Sequence, residues 1–151
     1  MIVRRTNIVI RPNAARVLFR PFNQLDEARV VRIVARVMSL RDDEVAQLLE
    51  RVMAEFRGRH HRLQQFFLLR FEQMRRHMVT DLPLSEDRQM LIGSYFTQEY
   101  SVESAALFNP SLVWHPDQSN LPSGSRRFVL SLRSTGEGHI SSITFRSGVI
   151  D

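Results

Sequence analysis

The stretch that decides the fold of the C-terminal third reads Phe128-Val-Leu-Ser-Leu-Arg133-Ser-Thr-Gly136-Glu137-Gly138-His139-Ile-Ser141-Ser142-Ile143. Phe128, Leu130 and Leu132 alternate with Val129, Ser131 and Arg133, which is the period of a half-buried strand. The two glycines around Glu137 predict a turn, and residues 139–145 predict a return strand. A phosphate-binding glycine loop would need a helix after it, so these glycines favour a β-hairpin.

The sequence before this hairpin predicts one more strand and a loop. Leu112-Val-Trp114 is a short strand candidate, and residues 115–125 form a polar loop rich in turn-forming residues. After the return strand, Ser147-Gly148 predicts another turn. The C-terminal region therefore reads as an antiparallel sheet.

The first two thirds of the chain predict mainly helices. Apolar residues recur at helical spacing in segments expected at 23–39 with Asn23 as the N-cap, 42–56, 60–79, and a fourth helix capped by Ser85. Residues 101–107 can hold one or two further helical turns. Residues 2–22 look extended, with strand pieces Ile2-Val3, Ile8–Ile10 and 16–21.

The predicted fold class is α+β: short N-terminal strands, a bundle of three to four helices, and then an antiparallel β-hairpin region. The corresponding domains are residues 1–107 and residues 108–151.

Composition narrows the class of protein. The chain has 151 residues and a net charge of +5. It has no cysteine, so disulfides and thiolate metal sites are excluded. No apolar run reaches the length of a membrane span, and charge interrupts the N-terminus, which favours a cytoplasmic protein. Acids are interspersed among the arginines of the helices, so a solvated helical face is favoured over binding to nucleic acid or a membrane.

Four polar residues in the C-terminal region form the candidate binding site. Arg133 lies near the end of a strand, Glu137 and His139 flank the turn, and Asn109 precedes a proline and is therefore expected in extended geometry. A guanidinium, a carboxylate, an imidazole and a carboxamide suit polyhydroxylated or anionic ligands. The histidines show no metal-ligand spacing, and His60 and His61 are expected in solvent at a helix start.

Several segments resemble one known enzyme family. They are Gly93-Ser-Tyr-Phe-Thr-Gln-Glu-Tyr-Ser101, Ala105-Ala-Leu-Phe-Asn-Pro-Ser111, His115-Pro-Asp-Gln-Ser119, Arg127-Phe-Val-Leu-Ser-Leu-Arg133 onward, and the earlier Arg16-Val-Leu-Phe-Arg-Pro-Phe22 and Phe56-Arg-Gly-Arg-His60. Together they resemble glycoside hydrolase family 130, in particular its longer members with a helical region ahead of the catalytic domain.

The resemblance implies a five-bladed β-propeller that cleaves β-mannosides by hydrolysis or by phosphorolysis, with inorganic phosphate as the co-substrate in the second case and no other cofactor. Residues 108–151 would be its first blade. By motif, Asn109 and Arg133 would contact the sugar, with Glu137 and His139 on the turn beside them. Asp117 does not match the family's catalytic aspartate, which is expected on a later blade.

On this interpretation the chain is the N-terminal part of a longer enzyme, inactive alone, and its partners are the mannoside substrate and the remaining blades. Residues 108–151 match the length of about one propeller blade, which cannot close a ring. The alternative hypothesis is a free-standing helical interaction module that docks a partner protein through its exposed sheet edge.

Overall fold

The computed structural model describes residues 6–23, 26–78 and 80–151, with the side chain of His139 outside the described part. Four α-helices and five strands form in these residues, which confirms the α+β class. The helices are α1 (Glu27–Met38), α2 (Asp42–Phe56), α3 (Leu63–Met74) and α4 (Glu86–Tyr95). The strands are β1 (Val17–Pro21), β2 (Thr97–Ser101), β3 (Ala106–Trp114), β4 (Arg126–Thr135) and β5 (Ser141–Ile150).

The described chain divides into two compact units, one of residues 17–100 and one that joins the residues up to Arg16 with Ser101–Asp151. The predicted domain boundary lay at residue 107, a few residues after this division. The N-terminal segment is bonded to the residues that lead into the C-terminal sheet: the Val102 amide donates to the carbonyl of Arg16 at 2.9 Å, and the Ser101 hydroxyl donates to the carbonyl of Ala14 at 2.9 Å.

Helices α1 to α4 and the small β1–β2 sheet make up the first unit. Its main core consists of buried apolar side chains from every helix: Val30, Val34, Val37, Val45, Phe71, Met74, Leu91, Ile92 and Phe96. Helices α3 and α4 approach closely at Gly93, where an added Cβ would lie 2.0 Å from the carbonyl oxygen of Phe67. The helical stripes in the sequence therefore serve packing within this unit.

The helix ends differ from the sequence prediction at α1 and α3. The N-cap of α1 is Asp26, whose carboxylate accepts from the Arg29 amide at 2.7 Å, so the prediction of Asn23 was wrong. Helix α3 begins at Leu63 because Arg62 has a φ of 60°, which an α-helix cannot contain. It ends at Met74 and continues as a short 3-10 turn over Arg75–His77. The Ser85 cap and the bounds of α2 are confirmed.

Strands β3, β4 and β5 form an open antiparallel sheet in that order. The hairpin of the opening stretch is confirmed, with the turn made by a 3-10 segment over Glu137–His139. The predicted turn at Ser147-Gly148 was wrong, since β5 runs on to Ile150. Gly148 pairs with Phe128, and a Cβ there would lie 2.6 Å from the Phe128 ring, so the glycine makes room for the aromatic side chain.

Two further predictions for the sheet unit were wrong. Residues 101–107 form no helical turn, because Val102 and Ala105 give their amides to Arg16 and Thr135, and β3 begins at Ala106. Residues Ile8–Ile10 form no strand and are exposed, while Ile2 and Val3 lie outside the described residues. In residues 101–107, hydrogen bonds to residues distant in sequence outweigh the local helix propensity. In residues 8–10, β-branched side chains alone do not produce a strand.

Candidate functional site

A β-bulge on β3 sets the position of Asn109. Phe108 pairs with Arg133 and Ser111 with Ser131, so Asn109 and Pro110 together face one residue of β4. Asn109 has a φ of 51°, in the left-handed region that asparagine tolerates better than most residues. The expectation that a following proline would hold Asn109 extended was therefore wrong, because the bulge imposes its own backbone geometry.

The Arg133 side chain is held by two neighbours on the same face of the sheet. Its Nε and one terminal nitrogen donate to the Ser141 hydroxyl oxygen at 3.2 and 3.0 Å. Its guanidinium carbon lies 5.3 Å from the centroid of the Phe108 ring, within cation–π range. Arg133 is thus contacted by a hydroxyl and by an aromatic ring although its side chain is exposed.

Asn109 and Arg133 share one open cleft of about 320 Å³. Its lining is a mixture of polar and apolar residues: Asn109, Ser131, Leu132, Arg133, Ser141, Ser142 and Ile143. The structure therefore brings together two of the four predicted site residues. Glu137 is exposed on the 3-10 turn and is not among the described lining residues, and the side chain of His139 lies outside the described part of the chain.

The cleft offers hydrogen-bond donors and acceptors in close range. A guanidinium donates only, a carboxamide does both, and serine hydroxyls do both. Sugars present oxygens that accept and hydroxyls that donate, so this combination fits a carbohydrate ring, and Ile143 adds an apolar contact.

A buried carboxylate lies in the same unit as the cleft and was missed by sequence reasoning. Glu103 is fully buried, with Oε1 bonded to the Arg146 guanidinium and Oε2 3.2 Å from Nε of Arg16. The Arg16 contact has ion-pair distance without hydrogen-bond alignment. No local signal marks this glutamate, because its partners come from residues 16 and 146. Its two cationic partners tie the N-terminal segment to β5.

Asp117 anchors the polar loop between β3 and β4. Its carboxylate accepts from the Ser119 hydroxyl and amide and lies 3.1 Å from a terminal nitrogen of Arg127. The pKa of Asp117 lies below its usual value, mainly because Ser119 donates two hydrogen bonds to the carboxylate. The charge of Arg127 lowers this pKa further by a smaller amount. These contacts give Asp117 a role in shaping the loop.

A second ionic cluster lies in the helical unit around Glu99. Arg59 donates to both Glu99 oxygens at 3.0 and 3.2 Å, and Nε2 of His60 lies 2.7 Å from Oε1. Burial raises the pKa of Glu99, but the hydrogen bonds from Arg59 and His60 lower it by more, so the net shift is downward. His60 also stacks on Phe19 with ring centroids 3.6 Å apart, so the expectation that it is solvated was wrong.

The helical unit has a larger cleft, of about 820 Å³, beside Arg70. Burial lowers the pKa of Arg70, and the charge of Arg76 lowers it further. Most of its donors are already engaged: Nε donates to the Phe96 carbonyl at 2.8 Å, one terminal nitrogen to Gln73 at 2.7 Å, and the other to Asn23. Arg70 is therefore a buried tie between helix α3 and the segments that flank the β1–β2 sheet.

Within the described residues no group of three or more histidine, aspartate or glutamate side chains is placed to hold a metal ion. In the same part of the chain no helix is both long and apolar enough to cross a membrane. No protein-family profile, curated protein or solved structure matches the chain. The protein is thus defined by its α+β fold and by the cleft that Asn109 and Arg133 share.

Proposed function

We propose that this chain is the N-terminal part of a carbohydrate-active enzyme, a glycosidase or glycoside phosphorylase acting on β-mannosides, and that the cleft on the β3–β5 sheet is one wall of its sugar site. Asn109 and Arg133 contact the sugar. The catalytic aspartate comes from another part of the enzyme, so this chain alone is inactive. A phosphorylase of this kind takes inorganic phosphate as co-substrate, and the enzyme acts in the cytoplasm.

The observation that carries the proposal is the cleft itself. Residues 24 positions apart in sequence meet there because the bulge at Asn109 faces β4 next to Arg133. Bulges that redirect a side chain are common beside ligand sites. The resemblance of the surrounding segments to glycoside hydrolase family 130 supports the choice of a mannoside.

The two faces of the sheet support its role as a propeller blade. Strand pairing places Val113, Ile143 and Phe145 on the Arg133 face, where they are 60%, 67% and 61% exposed. The opposite face exposes Leu112, Trp114 and Ile150 to between 46% and 50%. A propeller blade packs on both faces against neighbouring blades, and this arrangement of exposed apolar residues fits such packing.

The experiment is a titration of the ¹⁵N-labelled chain with β-1,4-mannobiose, followed by amide chemical shifts. We expect shifts confined to residues around the bulge, the end of β4 and the start of β5. Cellobiose, which differs in the configuration at C2, is the matched control and should shift these amides less. Equal shifts with both disaccharides, or shifts elsewhere only, would contradict the proposal.

The second candidate function is a helical module that docks a partner protein by adding a strand to the sheet. The open edges of β3 and β5 favour it, since both present unpaired backbone groups within the described residues. A partner that protects the β5 amides from hydrogen exchange, together with no response to mannobiose, would favour this function over the first.

A further inference from the structure

Two residues that the sequence did not mark, Phe108 and Ser141, contact the Arg133 side chain. Phe108 is its direct partner across the β3–β4 pair, and Ile143 is its partner on β5. Ser141 lies two residues before Ile143 and so points to the same face. This placement explains how a ring on one strand and a hydroxyl on another reach the same guanidinium.

We propose that Ser141 and Phe108 are positioning residues that fix the guanidinium of Arg133 before a ligand arrives; this inference rests on the proposed sugar-binding function. A free arginine side chain has many rotamers, and ordering it on binding costs entropy. The paired hydrogen bonds to Ser141 and the cation–π contact with Phe108 restrict these rotamers in the unliganded protein. The site is therefore organised in advance, which favours affinity.

The Ser141 hydroxyl can also donate a hydrogen bond to a ligand. A serine hydroxyl has two acceptor positions and one hydrogen. Arg133 contacts the oxygen with two donors and does not use the Ser141 hydrogen, so this hydrogen is available to a ligand in the cleft that both residues line. Arg133 and Ser141 thus present donors together, and the part of the ligand that they meet carries acceptor oxygens, such as a ring, glycosidic or hydroxyl oxygen of the sugar.

The test compares Ser141→Ala with Ser141→Thr, which keeps a hydroxyl, and with Ser147→Ala as the matched control. Ser147 is an exposed serine on the same strand, and it pairs with Val129, away from Arg133. The readout is the Nε–Hε NMR signal of Arg133 in the unliganded chain at mildly acidic pH, assigned by its loss in Arg133→Lys. We expect a slowly exchanging signal in the wild type, Ser141→Thr and Ser147→Ala, and rapid exchange in Ser141→Ala.

Phe108→Leu provides a second variant, in which the hydrogen bonds remain and the ring is lost. We expect an intermediate exchange rate, and a mannobiose affinity weakened about fivefold in Ser141→Ala. An Nε–Hε signal that is unchanged in both variants would overturn the positioning role, whatever the sugar affinity. Loss of the signal in Ser141→Ala with no mannobiose binding by the wild type would uphold the positioning role and instead contradict the proposed function.

Discussion

Arg88 on α4 donates a hydrogen bond to the carbonyl oxygen of Val37 at 2.6 Å, at the C-terminal end of α1. The same guanidinium donates to the carbonyl of Leu40 at 2.9 Å and to the Asp42 carboxylate at 2.7 Å. One buried side chain therefore satisfies the end of α1 and holds the start of α2.

Replacing Arg88 by alanine should destabilise the chain by about 2–4 kcal/mol, because the carbonyl oxygens of Val37 and Leu40 each lose a charged donor. The free energy of unfolding in urea measures this loss. Arg32→Ala is the control, since Arg32 is an exposed residue of α1, and it should change stability by less than about 0.5 kcal/mol. Equal stability of the two variants would show that the Arg88 contacts contribute nothing net.

Two substitutions of Asn109 separate the role of its backbone in the bulge from the role of its carboxamide in sugar binding. Asn109→Val should cost about 1–3 kcal/mol of stability, because a β-branched residue is strained at a φ of 51°. Asn109→Gly should leave stability within about 1 kcal/mol while weakening mannobiose binding, since the carboxamide is lost. Unfolding and binding are measured on the same samples. Wild-type affinity in Asn109→Gly would remove Asn109 from the sugar contacts.

Gly136 brings the hairpin turn close to the last residue of β2. A Cβ at this position would lie 1.8 Å from the carbonyl oxygen of Ser101, so Gly136→Ala should cost about 2–4 kcal/mol. Gly58→Ala is the matched control because no atom lies within 4 Å of a Cβ there. Thermal unfolding of both variants gives the comparison, and a Gly136→Ala protein as stable as the control would contradict the close approach.

Glu99 makes stability depend on pH at the acidic end. Its folded pKa lies below the reference value of 4.5, so its carboxylate binds a proton more readily in the unfolded chain. The stability from Glu99 is therefore present above about pH 4.5 and is lost as the pH falls through the lowered folded pKa. Urea unfolding of the wild type and Glu99→Gln from pH 7 to pH 3 should show their stabilities converging at low pH. A constant difference would contradict this linkage.

The sequence predicted the elements better than it predicted their ends. Periodicity located four helices and the hairpin because each buries one regular face. The segment after β2 was misread as helical because its amides bond to Arg16 and Thr135, which are distant in sequence. The burial of Glu103 was missed for the same reason, since its partners are distant in sequence too.

The candidate site shows the same limit. Residue chemistry was enough to single out Asn109 and Arg133, and strand pairing then brought both to one cleft. The bulge reversed the expected backbone geometry of Asn109, because pairing on both sides of it outweighs the preference set by Pro110. Ser141 and Phe108 carried no signal in the sequence, since their importance arises only from the register of three strands.

The most direct test of the central claim is the affinity for β-1,4-mannobiose of the wild type, Arg133→Ala and Arg126→Ala. Arg126→Ala is the matched control, because Arg126 is an arginine at the other end of the same strand. It also has an aromatic neighbour, with its guanidinium carbon 5.2 Å from the Trp114 ring centroid. We predict that Arg133→Ala weakens binding at least about tenfold and that Arg126→Ala stays within about twofold of the wild type. Equal affinity of Arg133→Ala and the wild type would contradict a sugar site at this cleft.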